Sequence, residues 1–331
     1  MGFGGTNLTG GMPGSPGRRP CCGLSTLGPG GHQVLGSDTT GLYQSRHIYG
    51  AGPFEFLSGL ERSGQLYTCA LGFVDLGHVR DCIDLTRYYY RWIRRRHRRI
   101  QVFIPFHYGG HIQITRDLSS AEYAKVAASI AFDQAMFHEI YTYWDNGIGA
   151  HHSSFSPEDL VSNLLGTYVG EKAIAAVNAG RNGSDFNRNA TAELRTLLTA
   201  LHTVTEIEAY DAFSKILLGS GGLGWIAGGN PAGRDHLLRR NFSYNPVQPW
   251  IVPGVLGCPS GSHPLPPDLS LEFPSQIRES YNALFIVPED PPSIRFAMGG
   301  IRELNVTDFD RRIRDIKADA RSLYGPDFDR P

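Results

Sequence analysis

The residues from 66 to 99, LYTCALGFVDLGHVRDCIDLTRYYYRWIRRRHRR, open as a short apolar run and change character at Asp75. Aspartate suits a helix N-cap, and Val79, Ile83 and Trp92 then mark part of an apolar face, so the pattern predicts a short strand followed by a helix. The next segment, IQVFIPFHYGGHIQITRD from 100 to 117, alternates about Gly109-Gly110 and predicts a β-hairpin. Ser119-x-x-Glu122 is a capping box for a long helix over about 120–145. Its alanines (Ala124, Ala127, Ala128, Ala131 and Ala135) suit close packing at the centre of a bundle.

A further helix is expected within 153–177, with Ser156 as cap, Pro157 at the first helical position and Glu158 and Asp159 complementing the dipole. Two more are expected near 190–203 and 205–217. Beyond Leu218 the sequence turns Gly-rich and then Pro-rich, which reads as coil wrapping a surface. Short strands at 282–288 and 293–298 and a helix over about 308–323 follow. The pattern predicts an α+β, mainly helical protein: a central helix bundle with a small β-hairpin or sheet. It predicts one domain over 1–331, made of an irregular N-terminal arm (1–50), a helical core (51–218) and a Pro/Gly-rich C-terminal wrap (219–331).

Composition adds a few exclusions. A net charge of -1 gives no global pull toward nucleic acid, and no nucleic-acid partner is expected. No apolar run is long enough for a transmembrane segment. The N-terminus shows no apolar h-region, so the expected location is cytoplasmic as the sequence stands, and exported if a signal peptide has been removed. Five cysteines without C-x-x-C spacing argue against a zinc ribbon or a disulfide framework and leave room for a single long-range disulfide.

The candidate chemistry centres on FHEIYTYWDN, 137–146. His138-Glu139 begins an H-E-x-x-H zinc motif, but Thr142 stands where the second histidine belongs. Downstream, Glu158-Asp159-x-x-Ser162-Asn163-x-x-Gly166 has the shape of the carboxylate helix of gluzincin-type zinc hydrolases, a weak similarity that puts Asp159 at the ligand position. The expected metal ligands are His138, Asp159 and His78, with His151 and His152 as alternatives for the third. Glu139 would serve as base and Asn163 would orient a ligand from behind. The bland account is that Asp159 belongs to a helix cap and His138-Glu139 is a buried hydrogen-bonded pair.

Asp75, His78, Asp81 and Cys82 recur at helical spacing, so Asp75 could fix the tautomer of a catalytic His78, or cap a helix beside an Asp–Arg network with Arg80. Cys21 or Cys22 is a candidate nucleophile with His78 as base. The basic run 91–99 after Tyr88, Tyr89 and Tyr90 reads as the solvated end of a helix.

Together, RPCC at 19–22, YTC-x-x-GFVD-x-x-HVRD, HEI-x-T-x-[WY] and SFSPEDLVSNLLG resemble a bacterial domain-of-unknown-function family, number 4056, over about residues 18–245. The resemblance implies that Asp75, His78, Arg80, Asp81, His138, Glu139, Glu158, Asp159 and Asn163 belong to recurrent motifs. It implies no established reaction, and members often look exported or lipid-anchored. The expected function is a metal-dependent hydrolase or acyl-transfer enzyme acting on an amide or ester of a small molecule or peptide, with a divalent metal, zinc foremost. The alternatives are a metal-free His/Asp or Cys/His enzyme that isomerises or cyclises a small molecule, and a non-catalytic binding or scaffold protein.

Overall fold

The computed structural model describes residues 65–96, 99–104, 108–144, 154–155, 157–205, 207–209, 211–212, 240–259, 263–287 and 298–324. Over these the protein is α+β and mainly helical. The arm at 1–50, with Cys21 and Cys22, lies outside the described residues, as do His151, His152, Ser156, the Gly-rich 219–233 and nearly all of the strand expected at 293–298.

Strands β1 (Gln65–Thr68) and β2 (Gly72–Asp75) form an antiparallel hairpin that leads directly into α1 (Leu76–Arg96). The Thr68 hydroxyl closes the turn, donating to the Gly72 carbonyl and accepting from the Leu71 N–H. Gly72 is required here: its φ is +78°, and a Cβ would lie 2.1 Å from the Trp250 carbonyl oxygen. Asp75 caps α1 as expected, its Oδ1 accepting from the N–H groups of Gly77 (2.6 Å) and His78 (3.3 Å).

Strands β3 (Arg99–Ile104) and β4 (Tyr108–Ile114) pair antiparallel, and β5 (Tyr281–Ile286) and β6 (Glu303–Asn305) extend them to a four-stranded sheet in the order β3-β4-β5-β6. The expected hairpin turn is displaced. Gly109 and Gly110 sit inside β4, paired with Phe103 and Val102. The physical reason is space, since a Cβ on Gly110 would lie 2.8 Å from the Leu284 carbonyl oxygen of β5.

Helix α2 (Glu122–Tyr143) starts from the expected capping box: Glu122 Oε2 accepts from the Ser119 N–H (2.8 Å) and hydroxyl (2.7 Å). Every side chain from Val126 to Tyr143 is buried. A helix buried all round belongs at the centre, and α2 packs against α1, against α3 (Asp159–Asn178) and against the sheet, where Phe137 stacks on Phe285. Helix α4 (Phe186–Ala200) begins four residues earlier than expected, because Asp185 caps it by accepting from the Arg188 N–H. Of the helix expected over 205–217, the described residues 207–209 and 211–212 are helical. The one-turn α5 (Ser275–Arg278) precedes β5, and α6 (Phe309–Tyr324) buries Ile313, Ile316 and Ala320.

Helices α1 and α3 run side by side in the same direction. Cys82 meets Asn163 and, further along both helices, Thr86 meets Gly170. At Gly166 the approach is closest: a Cβ there would lie 2.2 Å from the Val79 carbonyl oxygen and 2.7 Å from Cys82 Cβ. This contact brings the N-terminal ends of the two helices together.

The residues that follow 240 are held across this assembly. Asn241 N–H donates to the Phe155 carbonyl and its carboxamide to the carbonyls of Pro157 and Gln248. Further on, the Tyr67 hydroxyl donates to the Val252 carbonyl and accepts from the Val252 N–H. Cys69 and Cys258 form a disulfide across 189 positions of sequence, a long-range bridge of the kind the cysteine count left room for. No helix among the described residues is long and apolar enough to cross a membrane.

Candidate metal centre

Three helices deliver one side chain each to a common point. His78 stands in the first turn of α1, Asp159 opens α3, and Glu139 lies in the last turns of α2. Each offers one ligand atom, these atoms all lie within 4.8 Å of one another, and all three side chains are buried. His78 Nε2 is 3.7 Å from Asp159 Oδ1, while Nδ1, on the other side of the ring, is 3.6 Å from Asp75 Oδ2. The imidazole therefore lies between two carboxylates, one from its own helix cap and one from α3. The end of β2 is pinned to α3 as well: the Asp75 N–H donates to Ser162 Oγ at 2.8 Å, and that hydroxyl donates to the Glu158 carbonyl.

Glu139 is oriented by the chain that follows α2. Its Oε2 accepts from the Phe155 N–H at 2.7 Å, and its carbonyl accepts from the Ser154 hydroxyl. Phe155 holds a left-handed φ of +59°, a strained conformation for a bulky residue, and this conformation accompanies the hydrogen bond its amide makes to Glu139. The other oxygen, Oε1, has no donor among the described residues. Its neighbour Asp159 is another carboxylate, and the two bond only if one of them carries a proton.

The electrostatics follow from burial. Desolvation pushes the Glu139 carboxyl above its ordinary value, opposed by His78, the Phe155 N–H, Asp159 and Arg240. Asp75, Glu139 and Asp159 are each 0 % exposed. Three buried carboxylates thus face one imidazole and one guanidinium. With His78 neutral the carboxylates outnumber the cationic groups named here, and backbone N–H groups on Asp75 and on Glu139 offset part of that charge. Isolated buried charge is costly, so a group of this composition favours either protonation or a bound cation.

The expected residues separate into those brought together and those set apart. His78, Glu139 and Asp159 converge, with Asp75 behind His78. His138, expected as a ligand, is buried but is not a member of this group. Successive helical residues point about 100° apart, so a helix that aims Glu139 at the centre turns His138 aside. Thr142, where the second histidine of the motif would stand, directs its hydroxyl to the carbonyls of His138 and Glu139. Arg80 is 1 % exposed and pairs with Asp81 at 3.1 Å, and nearby Asp84 is pushed up to about 7 by burial. Glu158 is buried at the N-terminus of α3, one position before Asp159. Asn163 is buried and accepts a hydrogen bond from the Cys82 thiol, which burial holds in its protonated form. Arg91, Arg94 and Arg95 are exposed at the end of α1, as the helix-end reading of the basic run expects.

Two contributors escaped the pattern reading. Arg240 is 1 % exposed and acts on Glu139, yet in LLRRNF it looks like any solvated arginine. Phe155 acts through its backbone, which carries no residue-type signal; its place in SFSPEDL beside the carboxylates was the available hint.

No curated protein matches the chain, and no solved structure matches it. A family profile described as a protein of unknown function (DUF4056) matches residues 43–242, a stretch that contains every member of the buried group and Arg240 but not the RPCC segment. With more than half of its length matched, the chain belongs to that family.

Proposed function

We propose that the protein is a metal-dependent hydrolase acting on an amide or ester, with a divalent cation held by His78, Glu139 and Asp159. The observation that carries this reading is the convergence of one imidazole and two carboxylates, from three helices, at mutual distances that a single ion spans. One nitrogen and two oxygen donors suit zinc and tolerate manganese or iron, and such an ion supplies Lewis acidity toward a carbonyl and toward water. The surrounding residues have corresponding tasks. Asp75 holds the Nδ1 side of His78, which leaves Nε2 to face Asp159. The Phe155 N–H occupies Glu139 Oε2, which leaves Oε1 for the centre. Arg240 offsets part of the carboxylate charge.

The test is elemental analysis of protein purified without chelator or affinity metal, followed by a panel of activated esters and amides. About one cation per chain is expected in the native protein and in His138→Ala, with loss in His78→Ala and in Asp159→Asn. Hydrolysis should stop with chelator and return with zinc or manganese. No cation after incubation with either metal, or loss in His138→Ala equal to that in His78→Ala, would sink this ligand set.

A second reading rests on the contact between Glu139 and Asp159. Two carboxyl groups within bonding reach can share one proton, and beside His78 they would form a metal-free acid–base group. Turnover that survives exhaustive chelation, with a bell-shaped pH profile abolished in Glu139→Gln, would favour it.

A further inference from the structure

The seam between α1 and α3 continues past the proposed ligands. Cys82 lies one helical turn beyond His78, and Asn163 one turn beyond Asp159, so each shares a helix face with its predecessor. The two meet as His78 and Asp159 do: the Cys82 thiol donates to Asn163 Oδ1 at 3.3 Å. Both are deeply buried, at 1 % and 2 % exposure. Burial keeps Cys82 a thiol, and in this contact the carboxamide oxygen is the end that faces the sulfur.

Asn163 Nδ2 is consequently turned away from Cys82, and it has no acceptor among the described residues. Leaving a buried amide donor unpaired costs about 1–3 kcal/mol. Glu139 Oε1, which the proposed cation would take, does not serve as its acceptor. A small molecule that brings an oxygen acceptor to the centre answers the deficiency.

We propose that Asn163 is a ligand-contacting residue, its carboxamide N–H group donating to a carbonyl, carboxylate or hydroxamate oxygen of the molecule bound at the His78–Glu139–Asp159 centre, with Cys82 as its positioning residue. This rests on the metal-centre reading and adds to it the class of ligand group recognised. The role differs from the one the motif suggested, since the hydrogen bond of Asn163 goes to Cys82 and not to a metal ligand.

Acetohydroxamate, which presents an acceptor oxygen, is a suitable probe. The cobalt(II)-loaded protein is titrated with it and followed by visible absorption. Asn163→Ala should keep the cobalt band and bind the probe about tenfold more weakly, the loss of one hydrogen bond to a desolvated partner. Cys82→Ala should weaken binding several-fold while Cys82→Ser, which keeps a donor, retains it. Asn163→Leu approximates the shape without any polar hydrogen and must show the loss too, which covers the case in which the alanine variant does not fold. Unchanged probe affinity in folded Asn163 variants that keep the cobalt band would overturn the assignment while leaving the metal centre standing. Loss of the cobalt band in those variants would make Asn163 part of the ligand scaffold and also overturn it. A native protein that takes up no cobalt would instead remove the metal centre and this inference with it.

Discussion

Gly166→Ala probes the contact on which the centre depends. The added Cβ would lie 2.2 Å from the Val79 carbonyl oxygen. A carbon and a carbonyl oxygen approach no nearer than about 3.3 Å in ordinary packing, so α1 and α3 must part by about 1 Å or distort locally. The partner is backbone and no side-chain rotation relieves it. Overpacking of this kind costs about 1–3 kcal/mol, occasionally more. Against it stands the gain from replacing a helical glycine by alanine, about 1 kcal/mol. The net expectation is a loss of about 2 kcal/mol, toward the upper part of that balance because the obstruction is rigid. The same displacement stretches the His78–Asp159 separation from its 3.7 Å and, if the proposed centre holds a cation, should lower its affinity by about 10–100-fold. Urea denaturation gives the first quantity and competition with a chromophoric chelator the second. Gly170→Ala serves as the comparison: the three atoms nearest its Cβ would all belong to the Thr86 side chain, the closest at 2.7 Å against 2.2 Å at Gly166, so the smaller encroachment should give a smaller loss. A Gly166→Ala protein as stable as the native one, with undiminished metal affinity, would refute the claim that this seam sets the geometry of the site.

Two further outcomes are expected. Replacing both Cys69 and Cys258 by alanine, or reducing the bridge, should destabilise the fold by up to about 5 kcal/mol, the chain-entropy ceiling for so long a loop, measured by denaturant titration with the bridge checked by mass under non-reducing conditions. At the start of α2, hydrogen bonds from Arg116 and Ser119 draw the Glu122 carboxyl down to about 2. A depressed folded-state value means that its contribution is present above the ordinary value of 4.5 and is lost as the pH falls through about 2. Acid unfolding of Glu122→Gln should therefore show a shallower dependence over that window, and an unchanged slope would count against the capping box.

Much of the fold was legible because local rules and tertiary packing agree. The Asp75 cap, the Ser119–Glu122 box and the alanine-rich helix are each specified within a turn or two of chain. A glycine pair by itself signals a turn, but at Gly110 the missing side chain makes room for β5, whose Phe285 pairs with it from far along the chain. The same division holds at the site. The sequence by itself determined that His78, Glu139 and Asp159 would sit near helix ends among polar neighbours, since capping and periodicity are local. Only the tertiary structure decided that Glu139 and not His138 turns toward the others, since that depends on the face α2 presents to α1 and α3. It also brought in Arg240 and the Phe155 amide, because burial of an arginine and the aim of a backbone N–H are set by what packs around them, and residue type records neither.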